Sequence, residues 1–258
     1  RVDALDEPPG DYEVRATVDD VAGHRTVTQR RADGSPMVLR FPLRAPARLE
    51  AELANGADDQ LVPYRSPGEV SGALTDPAGN PIAGQPVTVI ETFAEGSLLD
   101  RRVRTVTTDA KGRFASKLPG GPSRDVAVEY GGSRRFIGAK ESGIDFDVRG
   151  AATLTVSKRK VRAGSSVHFG GKVKRYFAQI PKGGKLVEVQ AKSGNEWITL
   201  KQAIGTDSKG RVDLSHRFRR FYTQPVTFTF RLKVTPETDW PYRGAATSAR
   251  RKVTVVPR

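Results

Sequence analysis

The chain has 258 residues, 26 Gly, 17 Pro, no Cys and 37% hydrophobic residues, a composition that fits several small domains better than one large core. The missing thiols exclude disulfides, zinc-thiolate sites and cysteine nucleophiles, and no run of eighteen apolar residues is present to cross a membrane as a helix. The net charge of +14 is unevenly spread: residues 150–258 carry 23 Lys and Arg against 6 Asp and Glu, residues 67–149 carry 11 against 11, and residues 1–66 carry 9 against 12.

The chain opens on "RVDALDEPPG", without Met or a signal-like apolar stretch, which reads as a mature or truncated product. "GDYEVRATVDDVAGHRTVTQ" predicts a hairpin, with Tyr12, Val14, Ala16 and Val18 alternating before the "DDVAG" turn. A further strand places Met37, Leu39, Phe41 and Leu43 on one face. Two or three strands cannot bury both of their faces. Residues 1–44 are therefore expected to be the C-terminal part of an incomplete sandwich, paired with upstream residues, with the next domain or with another chain.

Two segments share one pattern. "TTDAKGRF" at 107–114 returns as "GTDSKGRV" at 205–212. Asp109 and Asp207 can bond to backbone N–H groups ahead of them, and Gly112 and Gly210 can take the positive φ that closes a turn. After the second turn, Val212, Leu214, His216 and Phe218 alternate with Arg211, Asp213, Ser215 and Arg217, the period of a half-buried strand. Upstream, the spacing aligns Val70, Gly72 and Leu74 with Val167, Phe169 and Gly171, and Val87 and Val89 with Val187 and Val189. "SLLDRRVRTV" at 97–106 has some helical propensity, but its β-branched end argues for strand. Each copy opens and closes on a strand: 47–53 and 143–148, then 152–158 and 251–256. About seven short strands per hundred residues predict an all-β protein of tandem antiparallel two-sheet β-sandwiches, spanning 45–149 and 150–258.

"VSGALTDPAGNPIAGQPVTV" with "RTVTTDAKGRFASKLPGG" resembles the carboxypeptidase-regulatory-like domains, which have a transthyretin-type sandwich. "GKLVEVQAKSGNEWITL", "TDSKGRV", "FRLKV" and "PYRGAATS" resemble, in that order, the bacterial Ig-like domains of actinobacterial exported proteins. "PPGDYEVRATVDDVAGHRTVT" looks like the closing hairpin of another. The resemblance implies secreted or cell-surface stalks, spacers and accessory binding modules, and no chemistry.

The residues agree with that implication. There is no G-x-S-x-G, no phosphate-binding loop and no H-E-x-x-H. His24, His168 and His216 are isolated and read as packed or half-exposed side chains. Asp145 and Asp147 share a strand face and could share a cation, though a solvated outer face, with Ile144, Phe146 and Val148 inward, is the plainer reading. No cofactor is implied. An intramolecular Lys–Asn bond is not expected, because Asn55, Asn80 and Asn195 fall in loops.

The remaining signal is basic. Lys172, Lys174 and Arg175, then Arg217, Arg219 and Arg220, then Arg250, Arg251 and Lys252 form short runs in the last domain. With Arg217 and Arg219 outward opposite Phe218, they read either as a positive wall for an anionic cell-envelope polymer or an acidic polysaccharide, or as a composition that places Arg freely on surfaces. Nucleic acid is disfavoured, since no base-reading module is present. "ETDWPYRG" reads as a loop, so Trp240 and Tyr242 are expected to be exposed for ligand stacking. The function these observations support is a non-catalytic spacer or adhesion module. The alternatives are an accessory region of a larger secreted enzyme, or a polysaccharide-binding protein.

Overall fold

A computed structural model of the protein describes residues 10–258 apart from 15, 29, 30, 32 and 36–38. Its described residues contain strands and turns and no helix. Near the N-terminus lie β1 (Gly10–Val14), β2 (Ala16–Asp19), β3 (Arg25–Thr28) and β4 (Leu39–Leu43). β2 and β3 form the expected hairpin, and β1 pairs instead with β4, where Tyr12 stacks on Phe41 at 6.0 Å. Met37 and the side chains of Val14, Ala16 and Leu39 lie outside the described residues.

The first complete sandwich contains β5 (Ala45–Pro46), β6 (Arg48–Leu53), β7 (Asp59–Val62), β8 (Gly68–Thr75), β9 (Pro86–Phe93), β10 (Arg101–Thr107), β11 (Arg113–Leu118), β12 (Arg124–Tyr130), β13 (Phe136–Ile137) and β14 (Ala139–Val148). One sheet runs β11-β8-β6 and the other β10-β9-β12-β14-β7. The second contains β15 (Ala152–Val156), β16 (Lys160–Arg162), β17 (Ser166–Val173), β18 (Leu186–Ser193), β19 (Glu196–Gly205), β20 (Arg211–Arg217), β21 (Val226–Val234), β22 (Ala246–Thr247) and β23 (Arg251–Val256). Its sheets run β20-β17-β15 and β19-β18-β21-β23-β16. These eight strands follow the same order in both, down to the parallel edge pairs β7 with β14 and β16 with β23, while the β5–β13 pair of the first and β22 on β21 of the second have no counterpart. The 97–106 segment supplies a strand, β10, as its β-branched residues suggest.

The repeat's turn is built as the letters imply. Asp109 Oδ1 accepts from the N–H groups of Lys111 and Arg113 at 2.8 and 2.9 Å, and Asp207 Oδ1 from Lys209 and Arg211 at 2.9 and 2.7 Å. These bonds, led by the one from the fourth residue on, hold both carboxyls below the usual carboxylate range. Gly112 and Gly210 have φ of 70° and 74°, a region where an L side chain is strained. The same turn also occurs at Asp20–Gly23 and Asp76–Gly79, so one device closes four hairpins or loops.

The alignment of the opening strands differs from the sequence expectation. Gly72 pairs with Ala51 and Phe114, and Gly171 pairs with Leu154 and Val212. Gly72 thus corresponds to Gly171 and Val70 to Phe169, two residues from the register the spacing implies. A two-residue slip keeps every side chain on its face, so alternation alone cannot reveal it.

The inner faces are buried. Leu53, Val70, Leu74, Leu118, Val128, Ile144 and Phe146 are buried in the first sandwich, and Val167, Phe169, Val187, Phe230, Leu232 and Val253 in the second. Phe169 and Phe230 pack at 4.7 Å between ring centroids, a favourable tilted pair.

Candidate functional site

The positive residues do not form one wall. β17 sets the scale: it is eight residues long, about 23 Å between its end residues at the usual strand rise. Lys172 faces Arg211 across the β17–β20 ladder, and Lys174 and Arg175 follow directly, at the end of the sandwich nearest its neighbour. Ser166 faces Arg217 at the opposite end. Arg219 and Arg220 lie past the end of β20, so Arg219 is in a loop and not on the outward strand face expected for it. Arg251 is half-buried, its Nε donating to the Leu154 carbonyl at 2.8 Å. Arg250 lies over the Trp197 ring at 5.6 Å and Arg231 over it at 4.0 Å. Lys252 is exposed between them and the distal end.

Trp240 and Tyr242 are not exposed, which corrects the expected stacking platform: they are 1% and 2% accessible. The loop that carries them is folded into the joint between the two sandwiches. Tyr242 lies 5.3 Å from Tyr64 and 5.7 Å from Trp240, ring centroid to ring centroid. The Tyr64 hydroxyl accepts from the Tyr176 N–H at 2.9 Å, and the Tyr242 hydroxyl donates to the Tyr176 carbonyl. Arg65 covers the Tyr176 ring at 4.3 Å. Burial pushes the Tyr242 hydroxyl far above its ordinary pKa.

Backbone bonds lock the same joint. Ser123 donates to Pro241 at 2.8 Å, Leu98 to Phe177 at 2.8 Å, Gln179 to Gly96 at 2.9 Å and Arg243 to Val148 at 3.0 Å. Ser97 and Ala178 form a bridge, as do Arg149 and Arg243. Gly96 has φ of 81°, and a Cβ there would collide with the Asp239 carbonyl. Behind Trp240, the buried Lys185 ammonium pairs with Glu237 and donates to the Thr235 carbonyl, while burial pulls its pKa down to about 8.

A second buried ion group caps the first core. Glu91 is 1% accessible and Arg124 2%. Arg124 Nε lies 2.6 Å from Glu91 Oε2, and Arg104 Nη2 lies 3.0 Å from Oε1. The Arg124 guanidinium also donates to the Pro122 and Pro119 carbonyls at 2.9 and 2.7 Å and lies 4.6 Å from the Phe146 ring. Burial brings its pKa down to about 10, opposed by the Glu91 charge, so it stays charged at neutral pH. The signal for this group is present in the sequence: Glu91 has the parity of Val87 and Val89, and Arg124 that of Val126 and Val128.

Ile144, Phe146 and Val148 point inward, and the aspartates between them face out. Asp145 stands opposite Asp125 on β12 and Asp59 on β7. Burial, then the neighbouring Asp145 carboxyl, raises the Asp125 pKa. The folded state therefore holds that proton more tightly than the unfolded chain, so its contribution falls as pH rises from the ordinary carboxylate range through the raised value. Asp125→Asn is expected to flatten that part of the stability profile. Because like charges opposite each other on paired strands destabilise, it should also raise Tm at neutral pH by about 1–4 °C. Thermal melts between pH 3 and 8 check both effects, and an unchanged profile would count against the repulsion. Among the described residues, no three His, Cys, Asp or Glu side chains are arranged to hold a metal.

His216 is half-buried edge-on to Phe218 at 5.0 Å, and burial lowers its pKa. His168 is exposed, 3.8 Å from Asp213. The outer faces of the two three-stranded sheets carry shallow open grooves. One, of about 890 Å³, is lined by Glu50, Glu52, Asp58, Asp109 and Arg113; the other, of about 660 Å³, by Thr153, Thr155, Lys172, Arg211 and Asp213.

No protein-family model and no curated protein matches the chain. Among solved structures it is similar to a tetra-tandem repeat in the extending region of a large adhesion protein, with 15% identity and a TM-score of 0.45, covering 95% of this chain and 57% of that one. It is similar to the Yersinia pseudotuberculosis adhesin InvE at 14% identity and a TM-score of 0.37, covering 80% and 58%. It is also similar to a Salmonella alpha-2-macroglobulin mutant at 14% identity and a TM-score of 0.31, covering 97% and 19%. The chain thus spans less than two thirds of the length of each. The fold, tandem Ig-like β-sandwiches, stands on the strand pairings above.

Proposed function

We propose that this chain is a non-catalytic, extracellular spacer and adhesion module whose domain at 150–258 engages an anionic polymer of a bacterial cell envelope. Domains at 45–149 and 150–258, the first of carboxypeptidase-regulatory-like type, act as two links held at one angle. The packed joint is the observation that carries the spacer reading: ring packing and four backbone hydrogen bonds span it, where a flexible tether would have left polar linker. The charge carries the polymer reading. The last domain has a net excess of 17 cations, and its neighbour, built on the same strand order, has none.

Binding of the full chain to teichoic-type polymer, acidic polysaccharide and DNA at two salt concentrations tests this. Affinity should fall steeply with salt. Arg217, Arg219 and Arg220 changed together to Ser should weaken binding and reduce the salt slope by roughly one for each phosphate that is no longer neutralised. The same replacement at Lys172, Lys174 and Arg175 measures how much the joint-side cluster contributes. Negligible binding of every polymer at low salt would overturn the polymer reading.

A further inference from the structure

We propose that the distal tip of the second sandwich seats on an anionic lipid bilayer, with Phe221 entering the headgroup layer and the surrounding arginines meeting lipid phosphates. This rests on the reading above that the exposed cations of this domain meet an anionic partner, and it assigns those at the tip to lipid phosphates. The tip is assembled from three chain segments. The Gly164 N–H donates to the Phe218 carbonyl at 2.8 Å, and the Phe218 N–H to the Ser165 carbonyl at 3.1 Å, which fixes the turn after β16 against the loop after β20. Arg217 Nε donates to the Gly164 carbonyl at 2.7 Å and Arg258 Nε to the Ala163 carbonyl at 3.3 Å. Two guanidiniums thus rest on consecutive carbonyls of one turn, and Arg162 begins that turn.

Arg162, Arg217, Arg219, Arg220 and Arg258 are all exposed, and among the described residues none is paired with a carboxylate. Phe221 follows Arg220 directly and is 84% exposed. Phe218, three residues earlier, is buried and anchors the loop against Phe228 at 5.5 Å. The loop therefore holds one aromatic side chain out into solvent from a rigid base, amid unpaired cations. A soluble polymer would satisfy the cations and leave the Phe221 ring in water. A bilayer interface offers both a negative surface and an apolar layer beneath it. The position fits as well, because the tip lies at the opposite end of the sandwich from the joint, so the domain can meet a surface end-on.

The test is co-sedimentation of the full chain with phosphatidylcholine vesicles made with and without phosphatidylglycerol, with soluble polyphosphate as a parallel arm. The expected result is binding to the phosphatidylglycerol vesicles alone, reversed by salt. Phe221→Ser should weaken vesicle binding about tenfold and leave polyphosphate binding unchanged. Phe221→Trp should keep vesicle binding and shift its emission to the blue on mixing. The Arg217, Arg219 and Arg220 to Ser variant should lose both ligands. Binding to polyphosphate without binding to vesicles would overturn this proposal and leave the polyanion reading standing. Vesicle binding indifferent to Phe221→Ser, with no blue shift, would also overturn it. Binding to neither ligand at low salt would remove both readings.

Discussion

Glu91→Ala is expected to destabilise the first sandwich by about 3–5 kcal/mol, since it strands the Arg124 charge inside the protein. The two side chains contact at 2.6 Å with almost no solvent exposure. Arg102 and Arg104 approach Glu91 as well, at 3.5 and 3.0 Å, so removing one carboxylate leaves three cations facing each other. A single domain has roughly 5–15 kcal/mol in all, which makes this a large fraction. Replacing the pair by Glu91→Leu with Arg124→Met is expected to be far milder, because the desolvation penalty of both ions disappears together. Denaturant titration of the full chain measures the difference in the transition assigned to 45–149. A loss under about 1 kcal/mol for Glu91→Ala would mean water reaches Arg124, and that the ion group is not sealed as described.

Trp240→Ala is expected to cost about 3–5 kcal/mol in the second sandwich, the usual range for emptying a buried Trp site. Its further effect is on the joint. The indole packs on Tyr242, which in turn packs on Tyr64 of the first sandwich, so the cavity lies where the two domains meet. Tyr64→Ala provides a control from the other side, since Tyr64 is half-buried and contributes less to its own core. Both variants should loosen the joint, while only Trp240→Ala should strongly lower the melting point of the second sandwich. Equal loss of stability in both would show that the joint and the cores form one cooperative unit.

The fold is readable because its units repeat. Asp109 and Asp207 sit at the same point of the same turn, which carries the chain from one sheet to the other, and the first inward residue after each turn, Phe114 or Val212, is buried. What alternation cannot supply is register, since a slip of two keeps all parities, and so spacing matches Gly72 with Phe169 instead of Gly171. The candidate site is less readable. "ETDWPYRG" has the composition of an exposed loop, and it is long-range packing, Lys185 over Trp240 and Tyr64 of the first sandwich against Tyr242, that buries both rings. A contact between residues such as Tyr64 and Tyr242, far apart in sequence, has no local signature. The basic side chains of Arg217, Arg219, Arg220, Lys172, Lys174 and Arg175 are exposed. Their division between two ends of the sandwich follows from the β17–β20 pairing and not from any property of the runs themselves. Arg250 and Arg251 look identical in the sequence, yet one covers Trp197 and the other reaches a backbone carbonyl.

Two sandwiches held at one fixed angle keep one fixed separation, and the absence of cysteine makes that separation directly measurable. Lys117→Cys and Ser215→Cys place one spin label on the exposed face of each three-stranded sheet, with no native thiol to compete. Double electron–electron resonance on the labelled full chain should give a single narrow distance distribution, and the same pair in the Trp240→Ala background should give a broad one. A broad distribution in the otherwise unaltered protein would contradict the fixed joint and the spacer reading built on it.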